Sequence, residues 1–152
     1  MMARTINSPK SAKLGEFLCF AVYSANLAFG RVYRPILDKL GLTYTQYVAL
    51  VALSEEDEQR VSDLGDKLFL ESNTLTPILK KLEQLGLADR RRDPADERQV
   101  RVNVTSAGRA LLQQVEASAS ALIDATGLGE DFGAVQQTVA QLRDNLLRST
   151  KP

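Results

Sequence analysis

The chain contains no histidine, which excludes Ser-His and Cys-His catalysis and every histidine-ligated metal site. Its single cysteine, Cys19, cannot close an internal disulfide or build a thiolate-rich zinc site. Conventional enzyme chemistry is therefore largely closed, and what remains centres on Cys19 or on carboxylates. No enzymatic activity, no metal and no cofactor are expected. No apolar run approaches the ~18 residues of a membrane span. The polar start, MMARTINSPKSAK, lacks the apolar core of a signal peptide. A cytoplasmic protein without a membrane partner is the expectation. An excess of one charge is missing too: 19 basic and 19 acidic residues give a net charge of +0. Nucleic-acid binding, if present, must depend on a few well-placed contacts and not on a broad positive field.

What the 152 residues do contain is ample apolar material, 44% of the chain, and the length suits one domain, or one domain plus an oligomerisation arm. The most informative stretch is LESNTLTPILKKLEQLGLADRRRDPADERQVRVNVT, from Leu70 to Thr105. Leu75, Ile78, Leu79, Leu82 and Leu85 recur at helical spacing, leaving Asn73, Thr74, Thr76, Lys80, Lys81 and Gln84 for the other face. Pro77 lacks a backbone donor and suits a first turn, which puts the helix start near Ser72 to Thr74. Gly86 suits the position just past the helix end. Leu87 and Ala88 enter a strand, and Val100, Val102 and Val104 alternate with Arg101 and Asn103 as the strand returns. Asp93 to Asp96 forms the turn between them.

A helix with a small polar face joined to a hairpin with a basic tip is a winged helix-turn-helix, the helix for a DNA major groove and the wing for the neighbouring minor groove. An ordinary helix-hairpin corner in an α+β domain is the competing interpretation. Around the wing, Arg90, Arg91, Arg92, Arg98 and Arg101 are nearly cancelled by Asp89, Asp93, Asp96 and Glu97.

Residues 1–12 read as a flexible arm. A helical pattern follows from Lys13 to about Leu40, with Pro35 expected to kink or divide it. Thr43 suits the cap of a second helix, whose inner face carries Tyr47, Leu50, Val51 and Leu53. Residues 54–59 form an acidic connector, and Ser62 suits the cap of a short helix packed through Val61, Leu64 and Leu68. Thr105 suits the cap of a long helix ended by Gly127 and Gly129, with Leu111, Leu112, Val115, Leu122 and Ile123 inward. The final helix carries Phe132, Val135, Val139, Leu142 and Leu146 in steps of three and four, an apolar seam. The fold class is thus mainly α with a small β-wing. The winged domain spans 43–104, and residues 13–40 and 105–150 form a helical dimerisation region. Two such domains related by a two-fold axis would meet major grooves about 34–36 Å apart, which calls for a near-palindromic site on double-stranded DNA.

All four tyrosines fall between residues 23 and 47, near the only thiol in EFLCFAVYS. Phenols aimed at sulfur favour the nucleophilic thiolate, and thiolate reacts with peroxides. Free cysteine also serves commonly as a small buried hydrophobe, and Phe17, Leu18 and Phe20 are apolar company.

FLCFAVYS, YRPILDKLGLTYTQY, LESNTLTPILKKLEQLGL and DPADERQVRVNVT together resemble the MarR family of regulators, and within it the OhrR-type sensors of organic hydroperoxides. The resemblance covers roughly residues 13–125. It implies a dimeric transcriptional repressor in which Cys19 is oxidised by an organic hydroperoxide. It also implies that Tyr33 and Tyr44 hydrogen-bond the sulfur from the partner subunit, with Tyr23 nearby. Oxidation then breaks those contacts and DNA is released. The resemblance further implies that residues Ser72, Asn73, Thr74 and Thr76 enter the major groove, that Lys80 and Lys81 meet phosphates, and that Arg98, directed by Asp96, enters the minor groove.

The sequence departs from that pattern in three places. There is no second cysteine, so oxidised Cys19 requires a low-molecular-weight thiol or a backbone nitrogen, or it oxidises further. Thr45 replaces a usual proline, and Ser54 a usual tryptophan. Other readings are a MarR-type regulator released by a small phenolic or apolar ligand with Cys19 as core, a thiol peroxidase, and a helical scaffold.

Overall fold

The computed structural model describes residues 12–152. The arm expected over residues 1–12 therefore lies, but for Ala12, outside the described residues. The chain divides into two compact units at Tyr44–Thr45.

The first unit holds a short 3-10 turn, Leu14–Glu16, and helix α1, Leu18–Leu40. The regular helix starts five residues later than the apolar pattern suggests, because Phe17 adopts an extended conformation (ψ 121°). Pro35 does not divide α1, which runs unbroken through it. The helix ends at Gly41, whose left-handed backbone (φ 72°) allows the Leu42 N–H to reach the Leu37 carbonyl at 3.1 Å. Leu37 and Leu42 are buried, whereas Leu14, Leu18, Val22, Leu27, Phe29 and Val32 are exposed.

The second unit carries the winged fold. Helix α2, Tyr44–Glu55, begins one residue after Thr43 and buries Ala49, Leu50, Ala52 and Leu53. Strand β1, Gln59–Arg60, occupies the end of what reads as an acidic connector. Helix α3, Val61–Leu68, starts after Arg60, so Ser62 lies inside the helix and does not cap it. Helix α4, Ser72–Gln84, starts at the expected place with Leu75, Leu79 and Leu82 fully buried. Pro77 is nevertheless its sixth residue, in the second turn, so α4 forgoes one backbone hydrogen bond there. Gly86 (φ 74°) closes the helix as anticipated, with the Leu87 N–H donating to the Leu82 carbonyl at 2.9 Å. Leu85, the last member of the apolar stripe, stays exposed.

Strands β2, Ala88–Arg92, and β3, Val100–Val104, pair antiparallel in the register Ala88↔Val104 to Arg92↔Val100. Strand β1 adds to the far side of β3, so the sheet order is β1-β3-β2 and the wing has three strands where the sequence shows two. Val102 and Val104 turn inward. Thr105 does cap α5, accepting the Gly108 N–H at 3.1 Å. The long helix expected beyond it is two: α5, Ser106–Glu116, and α6, Ala119–Asp124, separated at Ala117–Ser118. Leu111 and Val115 are buried, but Ile123 is exposed. Helix α7, Phe132–Ser149, buries no residue, and Val135, Val139, Leu146 and Leu147 are exposed. None of the described helices is long and apolar enough to cross a membrane.

Candidate nucleic-acid interface and thiol site

One tight turn leads from α3 into helix α4. Phe69 takes a left-handed conformation (φ 58°) after α3, and the Leu70 N–H donates back to the Gly65 carbonyl at 2.9 Å. Gly65 leaves room for that approach: a Cβ there would stand 2.8 Å from the Leu70 carbonyl oxygen. The Phe69 ring projects outward and carries the Arg143 guanidinium 4.7 Å from its centroid. Ser72, Asn73 and Thr74 occupy the exposed first turn of α4, and Lys80 and Lys81 are exposed further along it. Thr76 is half-buried, its hydroxyl donating to the Ser72 carbonyl at 2.7 Å.

The wing is built on ion pairs. Arg90 meets Glu83 at 2.7 Å, Arg91 meets Glu58, and Arg101 meets Asp93 at 2.9 Å. Asp93 is the buried hinge of the turn. Its carboxylate accepts the Ala95 N–H at 2.9 Å and the Arg101 Nε–H at 3.0 Å. The Ala95 N–H first, then Arg101, hold the Asp93 carboxyl below its ordinary 3.8, against an opposing effect of burial. Arg101 also donates to the Glu58 carbonyl at 2.9 Å, and the Glu58 N–H donates to Asn103 at 2.7 Å. The loop after α2 is thereby clasped to the wing. At the tip, Asp96 accepts both the backbone and the Nε–H of Arg98, at 3.1 and 3.2 Å, while the Arg98 side chain stays 91% exposed. Asp96 thus sets the direction of Arg98.

Of the expected groove residues, Ser72, Thr76 and Arg98 come together along one cleft of about 300 Å³ between α3, α4 and the wing. The same cleft contains Arg60 and Gln99, which were not singled out in the sequence, Ser62, read there as a helix cap, and Arg90, read as one of the arginines around the wing. Pairing of Gln59–Arg60 with Val102 and Arg101 brings Arg60 there across some forty residues of chain, beyond the reach of any local pattern.

Cys19 is the second residue of α1 and is exposed. Tyr23, one turn on and 60% exposed, stacks at a tilt on Phe20 with centroids 6.4 Å apart. Tyr33 and Tyr44 form a second pair, centroids 5.2 Å apart and planes at 57°. Burial, and secondarily the neighbouring Tyr33, raise the Tyr44 phenol above its ordinary 10.0. The structure does not join this pair to the thiol within one chain. Cys19 and Tyr33 lie on the same unbroken helix, and fourteen residues of rise separate them by roughly 21 Å.

The model of the SarA/Rot transcriptional regulators matches residues 31–115. The HTH-type transcriptional regulator TtmR of Methylorubrum extorquens is 44% identical over 134 residues, covering 88% of this chain and 69% of that protein. The organic hydroperoxide resistance transcriptional regulator of Bacillus subtilis is 38% identical over 135 residues, covering 88% and 92%. Among solved structures, reduced AbfR bound to DNA superimposes with a TM-score of 0.75 at 35% identity, covering 88% and 94%. AbfR, a protein of Staphylococcus epidermidis, has also been solved with a disulfide formed. The winged helix-turn-helix just described and these likenesses, which run over most of the chain, agree on one assignment. The chain belongs to the SarA/Rot family of winged-helix transcriptional regulators and is of the OhrR type among MarR regulators.

Proposed function

We propose that this regulator is a cytoplasmic repressor that binds a near-palindromic operator as a homodimer, and that oxidation of Cys19 by an organic hydroperoxide releases it. Residues 43–104 form the DNA-binding domain in this reading, and residues 13–40 and 105–150 the dimerisation region. Ser72, Asn73, Thr74 and Thr76 read the major groove, Lys80 and Lys81 meet phosphates, and Arg98, aimed by Asp96, enters the minor groove. The observation that carries the sensing half is the position of Cys19. It is exposed at one end of α1, and the Tyr33–Tyr44 pair is a helix length away. In this reading a second copy, running antiparallel, brings the Tyr33 and Tyr44 phenols to the sulfur, with Tyr23 of the same helix nearby. The apolar residues exposed on α1 and α7 are the surface such a copy would cover. The Bacillus subtilis relative, named for organic hydroperoxide resistance, supports the choice of oxidant.

The chemistry balances with one thiol. The Cys19 thiolate attacks one peroxidic oxygen of the hydroperoxide and the O–O bond breaks. The alkoxide takes a proton and leaves as an alcohol, and sulfur becomes the sulfenic acid. A low-molecular-weight thiol then displaces water to give a mixed disulfide. Operator binding by the purified protein tests the reading. Wild type should release DNA on hydroperoxide and carry an adduct on Cys19, while Cys19→Ser binds and ignores the oxidant. Release from Cys19→Ser, or release of wild type by phenolic ligands alone, would refute thiol sensing.

A further inference from the structure

The cleft between α3, α4 and the wing has an electrostatic asymmetry that its recognition residues do not explain. Three guanidiniums line it and no carboxylate does. Two are already matched, Arg90 by Glu83 and Arg98 by Asp96. Arg60 is not: it is exposed, makes no ion pair or side-chain hydrogen bond with any described residue, and acts on the Asp93 carboxylate only through space. Its backbone, by contrast, is well fixed, paired with Arg101 in the sheet on one side and leading directly into α3 on the other. Beside it stand the Ser62 and Ser72 hydroxyls, whereas Thr76 has committed its proton to the Ser72 carbonyl.

We propose that this cleft seats a backbone phosphodiester of the DNA duplex, with Arg60 supplying the charge and Ser62 and Ser72 donating hydrogen bonds. The assignment rests on the DNA-binding reading above and adds to it an anchor that the wing tip does not provide. A cation with no bonded carboxylate gives up only a through-space attraction, here to Asp93, when a phosphate arrives. Arg90 and Arg98 must first loosen a carboxylate.

Salt dependence tests this on the full chain, with a random-sequence duplex of about three helical turns as probe. Arg60→Gln should make the slope of log K against log salt shallower by about 0.9 for each subunit engaged. At about 0.1 M salt that is roughly an eightfold loss per subunit. Arg60→Lys should restore the slope, and Glu83→Gln, by freeing Arg90, should steepen it. A wild-type slope in Arg60→Gln, or Arg60→Lys as shallow as Arg60→Gln, would overturn the assignment. So would thermal stabilisation by millimolar inorganic phosphate that Arg60→Gln abolishes while the duplex slope stays put, since the occupant would then be a free anion. Absence of any duplex binding by wild type would remove the DNA-binding reading and this anchor together.

Discussion

Replacing Gly65 by alanine separates the cost of folding the helix-turn-helix from the cost of aiming it. The new Cβ would stand 2.8 Å from the Leu70 carbonyl oxygen. That neighbour is backbone, so no side-chain rotation relieves the overlap. It is also held in place by the Leu70 N–H bonded to Gly65 itself at 2.9 Å. Restoring an ordinary contact requires the turn to move by about 0.6 Å. Overpacking of this kind costs ~1–3 kcal/mol, and the better helix propensity of alanine returns about 1 kcal/mol. The net loss is roughly 0–2 kcal/mol, a fall in Tm of no more than about 8 °C.

The turn leads straight into α4, so the displacement passes to Ser72, Asn73 and Thr74. Loss of one base-directed contact is worth ~1–3 kcal/mol, or about 5- to 150-fold in operator affinity. Urea unfolding followed by circular dichroism, alongside fluorescence anisotropy on the operator, measures the two effects independently. Wild-type affinity in Gly65→Ala would refute the idea that the close approach of α3 to the turn aims the recognition helix.

Arg98→Ala should weaken specific binding by roughly 1–3 kcal/mol with no change in the circular dichroism spectrum, since the side chain touches little but Asp96. Wild-type affinity there would reassign the wing tip. Val139→Glu combined with Leu146→Glu, both on the open face of α7, should reduce the light-scattering mass from two chains to one. A persistent two-chain mass would remove α7 from the interface. The raised Tyr44 phenol makes stability fall as pH climbs past 10.0, because the unfolded chain gives up that proton before the folded one does. Urea unfolding at about pH 9 and about pH 11 should show this slope in wild type and its loss in Tyr44→Phe. Equal slopes would mean that Tyr44 does not carry the effect.

Elements with a buried stripe declared themselves in the sequence. Leu75, Leu79 and Leu82 in α4 and Val102 and Val104 in β3 are buried as their periodicity requires, and Thr105 caps α5 through the hydroxyl that marks it. What stayed hidden lacks local cause. Strand β1 is two polar residues, too short for any period, and exists because β3 offers it an edge. The break between α5 and α6 carries neither glycine nor proline. Pro77 shows packing overriding propensity, since the flanking Leu75 and Leu79 are fully buried despite the lost hydrogen bond. The candidate site divides in the same way. Arg98 sits in a turn with a recognisable motif, whereas Arg60 becomes part of the cleft only through sheet pairing. Tyr23 lies one turn from the thiol, whereas Tyr33 stands roughly 21 Å along the same helix and pairs with Tyr44 of α2, so clustering in sequence does not translate into one cluster in the chain.

Arg90, Arg91, Arg98 and Arg101 enter any complex already paired with carboxylates. Contact with a duplex therefore becomes an exchange, one oxyanion for another, in which the gain is the difference between two similar bonds. Indifferent DNA offers little profit on such a trade, and each displaced carboxylate left near the backbone adds repulsion. A protein of zero net charge can in this way stay loosely held across most of a genome. Such a protein would commit where groove width and phosphate spacing reward every swap at once.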